Sequence, residues 1–170
     1  MSIKLIGALL IVAGCGGFGF SIAANHRREE KTLRMLLSAL DFMECELQYR
    51  MTPLPELCRR AAGQCTGGLQ SVFNILAREL DQQISPDAMR CMSAALAQVP
   101  ELPKRAKYAL KAMGQTLGRF DVSGQLRGLE SVRLACRRDL EDMERNRDTR
   151  LRSYQTLGLC AGAALAILFI

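Results

Sequence analysis

The sequence predicts an all-α protein, an antiparallel helical bundle of about six helices flanked by an N-terminal and a C-terminal transmembrane helix. Two stretches lack charge, 21 residues between Lys4 and His26 and 18 residues from Ser153 to the end. Between them, apolar residues recur at spacings of three and four, the period of an amphipathic helix. The alternation of β-branched residues that indicates strands does not occur in the sequence. The chain therefore divides into a transmembrane helix (1–25), a charged bundle with membrane-proximal stems (26–152) and a second transmembrane helix (153–170).

The first uncharged stretch contains a glycine cluster, GCGGFGF, that fits three sequence patterns. Residues 14–19 match the G-x-G-x-x-G fingerprint of dinucleotide-binding folds, but that fingerprint needs flanking parallel strands, which this sequence lacks. Small residues before Cys15 resemble a lipoprotein signal, yet apolar residues continue beyond the cysteine, so lipidation is kept only as an alternative. An uncleaved helix here would extend about 31 Å, enough to cross a bilayer. We expect Gly14 and Gly17 to allow close packing of this helix inside the membrane.

The C-terminal uncharged stretch contains the sequence TLGLCAGAALAILFI and is just long enough to span a bilayer, at about 27 Å from Ser153 onward. Gly158 and Gly162 form a G-x-x-x-G pair, which is typical of contacts between membrane helices. The alternative is a lipid-facing tail in which these glycines have no packing role.

Basic residues next to the two stretches predict the orientation of the chain in the membrane. Four basic residues follow the first stretch and four precede the second, all on the side of the bundle. They are Arg27, Arg28, Lys31 and Arg34, and Arg145, Arg147, Arg150 and Arg152. On the other side stand only Lys4 and the terminal amine. The positive-inside rule therefore places the bundle in the cytoplasm and both chain ends across the membrane.

Prolines, glycines and capping residues divide the middle of the chain into helices. The expected limits are a first helix ending near Arg50, a second from Pro53 to Ala62, a third over Leu69–Leu80, a fourth from Pro86 to Val99, a fifth from Pro103 to Leu117, and a sixth from Leu126 into the second span. We expect Thr52 to cap the second helix and Ser85 the fourth, because hydroxyl side chains satisfy free amides at helix starts. The segment GRFDVSG forms the last loop.

Composition argues against several classes of function. The segment Arg27–Arg152 holds 22 basic and 17 acidic residues, and the chain has no Trp, so base-stacking nucleic-acid binding is not expected. The single histidine, His26, has no nucleophile near it in sequence. Seven cysteines are scattered without a C-x-x-C pair, which predicts small buried side chains and no metal site. No catalytic residue, cofactor site or small-molecule substrate is expected.

Three segments of the chain are its most distinctive: LDFMECELQYRMTPLPE (40–56), MGQTLGRFDVSGQ (113–125) and RSYQTLGLCAGAALAILFI (152–170). They resemble the signature stretches of the stage III sporulation protein AB family, and the resemblance covers the whole chain. Its most specific part is E-x-E-x-x-Y followed by TPLPE. The glycine-aspartate loop, with Gly118, Asp121 and Gln125, is the next most specific.

The resemblance implies a role in endospore formation. Members of the family lie in the mother-cell membrane around the forespore, and their soluble domain is similar to that of the inner-membrane platform proteins of type II secretion and type IV pili. By that analogy the chain would be a non-enzymatic membrane platform of the mother cell–forespore channel. Its partners would be the cytoplasmic stage III sporulation ATPase, other channel components, membrane lipid and further copies of itself. The alternative is a membrane-tethered structural protein without an ATPase partner.

The segments at the end of the bundle are the expected docking surface, because loops there face away from the core. The residues expected to bind a partner are Glu44, Glu46, Tyr49, Thr52, Pro53, Pro55, Glu56, Asp121 and Gln125. The three glutamates are expected to be exposed and to steer a basic partner patch. The alternative is that the prolines merely begin the second helix.

Overall fold

The computed structural model describes residues 24–82, 87–118 and 121–145 in full, and the helical backbone of residues 2–23 and 146–169. Over this part of the chain there are six helices and no strand, which confirms the all-α class. The helices are α1 (Ser2–Arg50), α2 (Leu54–Gly63), α3 (Gly68–Gln82), α4 (Ala88–Gln98), α5 (Lys104–Thr116) and α6 (Val122–Phe169). One compact unit comprises residues 29–140, and a second comprises residues 1–28 and 141–170.

The unit of residues 29–140 is a helical bundle with a continuous apolar core. Helix α2 packs against α3, α3 against α4, and α4 against α5. The apolar stripes predicted from sequence point inward; fully buried members include Leu33, Leu36, Leu40, Met43, Leu69, Val72, Phe73, Met92, Leu110, Met113 and Leu129. Because a buried leucine contributes about 1.5–3 kcal/mol relative to an exposed one, these stripes supply the main stabilisation of the bundle.

Two helix starts differ from those predicted. The N-cap of α2 is Pro53 rather than Thr52, and no side chain caps the helix. Thr52 lies one residue before the N-cap, and its hydroxyl instead donates a hydrogen bond to Glu46. At α4, Asp87 is the N-cap and accepts from the Met89 amide at 3.1 Å, and the predicted cap Ser85 lies outside the described residues.

The predicted membrane spans, 1–25 and 153–170, lie outside the residues described in full, apart from residues 24 and 25; only the helical backbone of residues 2–23 and 153–169 is described there. The same is true of the four glycines assigned to packing within the membrane, Gly14, Gly17, Gly158 and Gly162. Among the residues that the structure describes, no helix is both long and apolar enough to cross a bilayer.

The cysteines of the bundle follow the sequence prediction with one exception. Cys58, Cys65, Cys91 and Cys136 are buried, but Cys45 is exposed on α1. Burial raises the pKa of the Cys58 thiol to about 12 and the pKa values of Cys65 and Cys136 to about 11. These three thiols therefore stay protonated and unreactive at neutral pH. Within the described ranges, no group of histidine, cysteine and carboxylate side chains could hold a metal ion.

Gly128 allows α5 and α6 to approach closely. A Cβ atom added at this buried glycine would lie 2.4 Å from Thr116 Cβ, well inside van der Waals contact. We expect Gly128→Ala to lower the free energy of unfolding by about 1–3 kcal/mol, because the helices must move apart. Gly63→Ala is the control, since nothing lies within 4 Å of that Cβ position. Chemical denaturation of the full chain in detergent measures the free energy of unfolding of both variants. Equal stabilities of the two variants would contradict the close approach of α5 and α6.

Candidate functional site

The connection between α1 and α2 forms a tight turn at one end of the bundle. Helix α1 ends at Arg50, and Met51 follows with a left-handed backbone, at φ 48°. A non-glycine residue rarely adopts this conformation. Pro53 then sets the extended backbone from which α2 starts, and Pro55 occupies the second position of the helix, where its missing N–H costs nothing. Two elements, a strained residue and a proline, thus define the path of the turn.

The carboxylate of Glu46 holds this turn from the inside. Its side chain is only 10% exposed, and its Oε2 accepts from Thr52 Oγ1 at 3.0 Å and from Arg60 Nη1 at 3.1 Å. Arg50 Nη1 lies 3.3 Å from Oε1. One carboxylate therefore links α1, the turn and α2. The prediction that Glu46 is exposed is wrong, because its side chain is buried and both of its oxygens have partners within the bundle. Its part in docking stays a prediction.

Glu56 lies at the start of α2 and is compensated by two arginines of the same helix. Its oxygens accept from Arg60 Nε at 3.0 Å and from Arg59 Nη1 at 3.1 Å. These hydrogen bonds lower the pKa of the Glu56 carboxyl, and the one from Arg60 has the largest effect. Arg59 also pairs with Asp81 of α3. The acidic concentration expected from the sequence is thus balanced by neighbouring arginines.

Glu44 is also engaged inside the bundle. Arg133 of α6 places its Nη1 3.5 Å from Glu44 Oε2 and 3.1 Å from Asp41 Oδ1, which joins α1 to α6. The hydrogen bond to Asp41 is the main reason why the pKa of Arg133 is raised, so the guanidinium stays charged. The Nε atom of Arg133 is buried without a hydrogen-bond partner in the described residues. Glu44 therefore acts as a contact between helices.

Beside the exposed arginines of these ion pairs, this end of the bundle also exposes apolar and aromatic side chains. Tyr49 is 76% exposed and Met51 is 72% exposed, and Pro53 is exposed beside them. We call these three residues the apolar turn surface. The sequence indicated Tyr49 and Pro53 but missed Met51, because nothing in the sequence signals a left-handed methionine.

The second distinctive segment meets this end of the bundle. A Cβ atom on Gly118, whose φ is 72°, would lie 3.5 Å from Leu54 Cδ2 at the start of α2. Asp121, three residues further on, caps α6: its Oδ1 accepts from the Gly124 amide at 3.0 Å and its carbonyl from the Gln125 amide at 2.9 Å. Gln125 therefore lies in the first turn of α6, not in the predicted loop.

Comparison with known proteins agrees with this geometry. The sequence model described as "Stage III sporulation protein AB" matches residues 4–170. The chain belongs to the stage III sporulation protein AB family. A relative of that name from Bacillus subtilis (strain 168) is 27% identical over an alignment of 171 positions that covers 99% of each chain. A solved structure of stage III sporulation protein AB superposes with a TM-score of 0.63 at 26% identity, covering 72% of this chain and 98% of the other. The resemblance seen in the sequence is confirmed, and with it an assignment to sporulation.

Replacing Glu46 tests its internal role. We expect Glu46→Ala to lower the free energy of unfolding by about 1–3 kcal/mol, because Thr52 and two arginines lose their shared partner. Glu56→Ala, at a more exposed ion pair, is the matched control, and it should lower the free energy of unfolding clearly less than Glu46→Ala does. Thermal and chemical unfolding measure the difference. If the two variants are equally stable, Glu46 does not hold the turn.

Proposed function

We propose that the chain is a non-enzymatic, two-pass membrane platform of the mother cell–forespore channel, with its bundle in the mother-cell cytoplasm. The apolar turn surface docks the stage III sporulation ATPase, and the two helical stems couple that docking to assembly of the channel. Family membership supports the setting in sporulation, and the names of the family and of its relative denote no catalytic activity. The uncharged stretches with basic inner flanks support the two spans.

The left-handed conformation of Met51 is the observation that carries the docking assignment. An L-residue in this conformation costs about 1–2 kcal/mol relative to the right-handed one. Met51 recovers none of this by burial, since 72% of it is exposed. Strained positions of this kind cluster at binding sites and switch regions, and they persist where the surrounding structure holds them, as the partners of Glu46 hold this turn. A partner that covers Met51 and Tyr49 would bury the apolar area that the bundle itself leaves in water.

The position of the apolar turn surface suits a cytoplasmic partner. Tyr49 follows Glu29, the first residue of the bundle, by 20 residues of continuous helix, or about 30 Å. Within the 29–140 unit, the apolar turn surface therefore lies far along α1 from the residue where the chain enters the unit. Docking there leaves the stems free to contact other channel components.

Substitution at the turn separates docking from folding. We expect Tyr49→Ala combined with Met51→Gly to weaken ATPase binding at least tenfold, because both apolar side chains are lost. Stability should change little, since glycine relieves the left-handed strain while adding entropy to the unfolded chain. Affinity is measured with the full chain in detergent, with Tyr108→Ala, at another exposed tyrosine, as the control. Unchanged affinity in the folded double variant would favour a structural protein without an ATPase partner.

Thiol labelling tests the topology. Among the described cysteines only Cys45 is exposed, so it is the useful reporter, whereas Cys58, Cys65 and Cys91 would resist labelling on either side of the membrane. In a chain with Cys15 and Cys160 replaced by alanine, an impermeant maleimide should leave Cys45 unmodified in intact cells and modify it after permeabilisation. Labelling of Cys45 in intact cells would place the bundle outside.

A further inference from the structure

Arg105 joins three helices at the other end of the bundle. Its Nη1 lies 3.4 Å from Asp139 Oδ1 and donates to the Asp139 carbonyl at 3.2 Å, and its Nε lies 3.9 Å from Glu29 Oε1. Glu29 is where α1 enters the bundle, and Asp139 is next to the residue where α6 leaves it. The beginning of α5 is therefore fixed at the same end as the two stems.

Five basic residues of the 29–140 unit lie around this junction. Each lies within two positions of Glu29, Arg105 or Asp139, which is about 3 Å along a helix axis. They are Lys31, Lys104, Lys107, Arg137 and Arg138, and we call them the basic collar. Four are exposed and form no ion pair with a described carboxylate, while the amine of Lys107 donates to the Pro100 carbonyl at 2.8 Å.

Within the 29–140 unit, the acidic residues that meet the same criterion are paired with arginines, while Glu141, one residue beyond the unit, is exposed. Arg105 engages Glu29 and Asp139, and Arg34 pairs with Glu30 at 2.6 Å. Helix α5 itself has no acidic residue and holds three of the five lysines of the chain, Lys104, Lys107 and Lys111. This end of the bundle therefore carries an uncompensated positive charge.

We propose that the basic collar, together with Tyr108, binds the anionic headgroups of a phospholipid bilayer. Tyr108 is 74% exposed and follows Lys104 by four residues, so both lie on one face of α5. Tyrosine with lysine or arginine is the pairing that proteins place at the boundary between bilayer and water. Anionic lipids attract such clusters additively. This inference rests on the membrane anchoring proposed above.

A second copy of the chain fits this surface less well. Most carboxylates of the bundle are held by arginines of the same chain, as the pairs of Glu44, Glu46, Glu56 and Asp81 show. A second copy would therefore bring few free carboxylates to the collar. A bilayer with anionic lipid brings many, on the side where both stems leave the bundle.

Tryptophan fluorescence tests the proposal, because the chain has no native tryptophan. The full chain with Tyr108→Trp is reconstituted into phosphatidylcholine vesicles with or without phosphatidylglycerol, each carrying a headgroup-level quencher. We expect stronger quenching when phosphatidylglycerol is present, and loss of that difference at high salt because the attraction is screened. Tyr49→Trp, at the far end of α1, should show little quenching in either vesicle.

Charge removal provides the second arm. Adding Lys104→Gln and Lys107→Gln should abolish most of the effect of phosphatidylglycerol on Trp fluorescence at position 108. Arg78→Gln with Arg127→Gln, which removes two exposed arginines elsewhere, should leave that effect intact.

Three outcomes would decide against the collar in different ways. Equal quenching with and without phosphatidylglycerol would overturn the lipid site. An emission shift on adding soluble polyglutamate instead would assign the surface to an acidic protein. Failure of the chain to float with vesicles at all would overturn the membrane anchoring on which the inference rests.

Discussion

The carboxylate of Glu46 must be neutralised where α1 ends, because a charge that is 90% shielded from water is unstable without partners. Its partners come from three places: Arg50 on the same helix, Thr52 in the turn and Arg60 on α2. To supply them, the chain must reverse direction at once after Arg50. Met51 then takes its left-handed backbone, and α2 must lie alongside α1. The rest of the bundle follows, since α2 packs on α3, α3 on α4 and α4 on α5.

The arrangement of charge gives the two ends of the bundle different chemistry. At the turn, the glutamates form ion pairs with arginines of the bundle, and the exposed apolar residues are Tyr49, Met51 and Pro53. Near the stems, Arg105 forms ion pairs with Glu29 and Asp139, and the exposed residues around it are basic. A single device, ion pairs between helices, thus leaves exposed apolar side chains at one end of the bundle and exposed basic side chains at the other; docking at the first and bilayer binding at the second are our proposals.

The sequence predicted those features that depend on local pattern. Apolar spacing identified the helices and their buried faces, and prolines located the breaks to within a few residues. Pairing across helices was not predictable: Arg60 lies 14 residues from Glu46, and Asp139 lies 34 from Arg105, with many other charged residues between. The sequence alone therefore predicts an exposed Glu46 and a capping Thr52, because the true contacts of both residues depend on where α2 folds back. The motif for which docking was predicted forms the turn between α1 and α2, but it exposes Tyr49, Met51 and Pro53 while its Glu46 is buried, and docking there stays a prediction.

The central claim is that the two ends of the bundle meet different partners, and site-specific photo-crosslinking tests it most directly. A photoreactive phenylalanine replaces either Tyr49 or Tyr108 in the full chain, which is produced together with the stage III sporulation ATPase in membranes and irradiated. The account predicts an adduct with the mass of chain plus ATPase from position 49 and lipid adducts from position 108. An ATPase adduct of equal yield from position 108, or none from position 49, would contradict it.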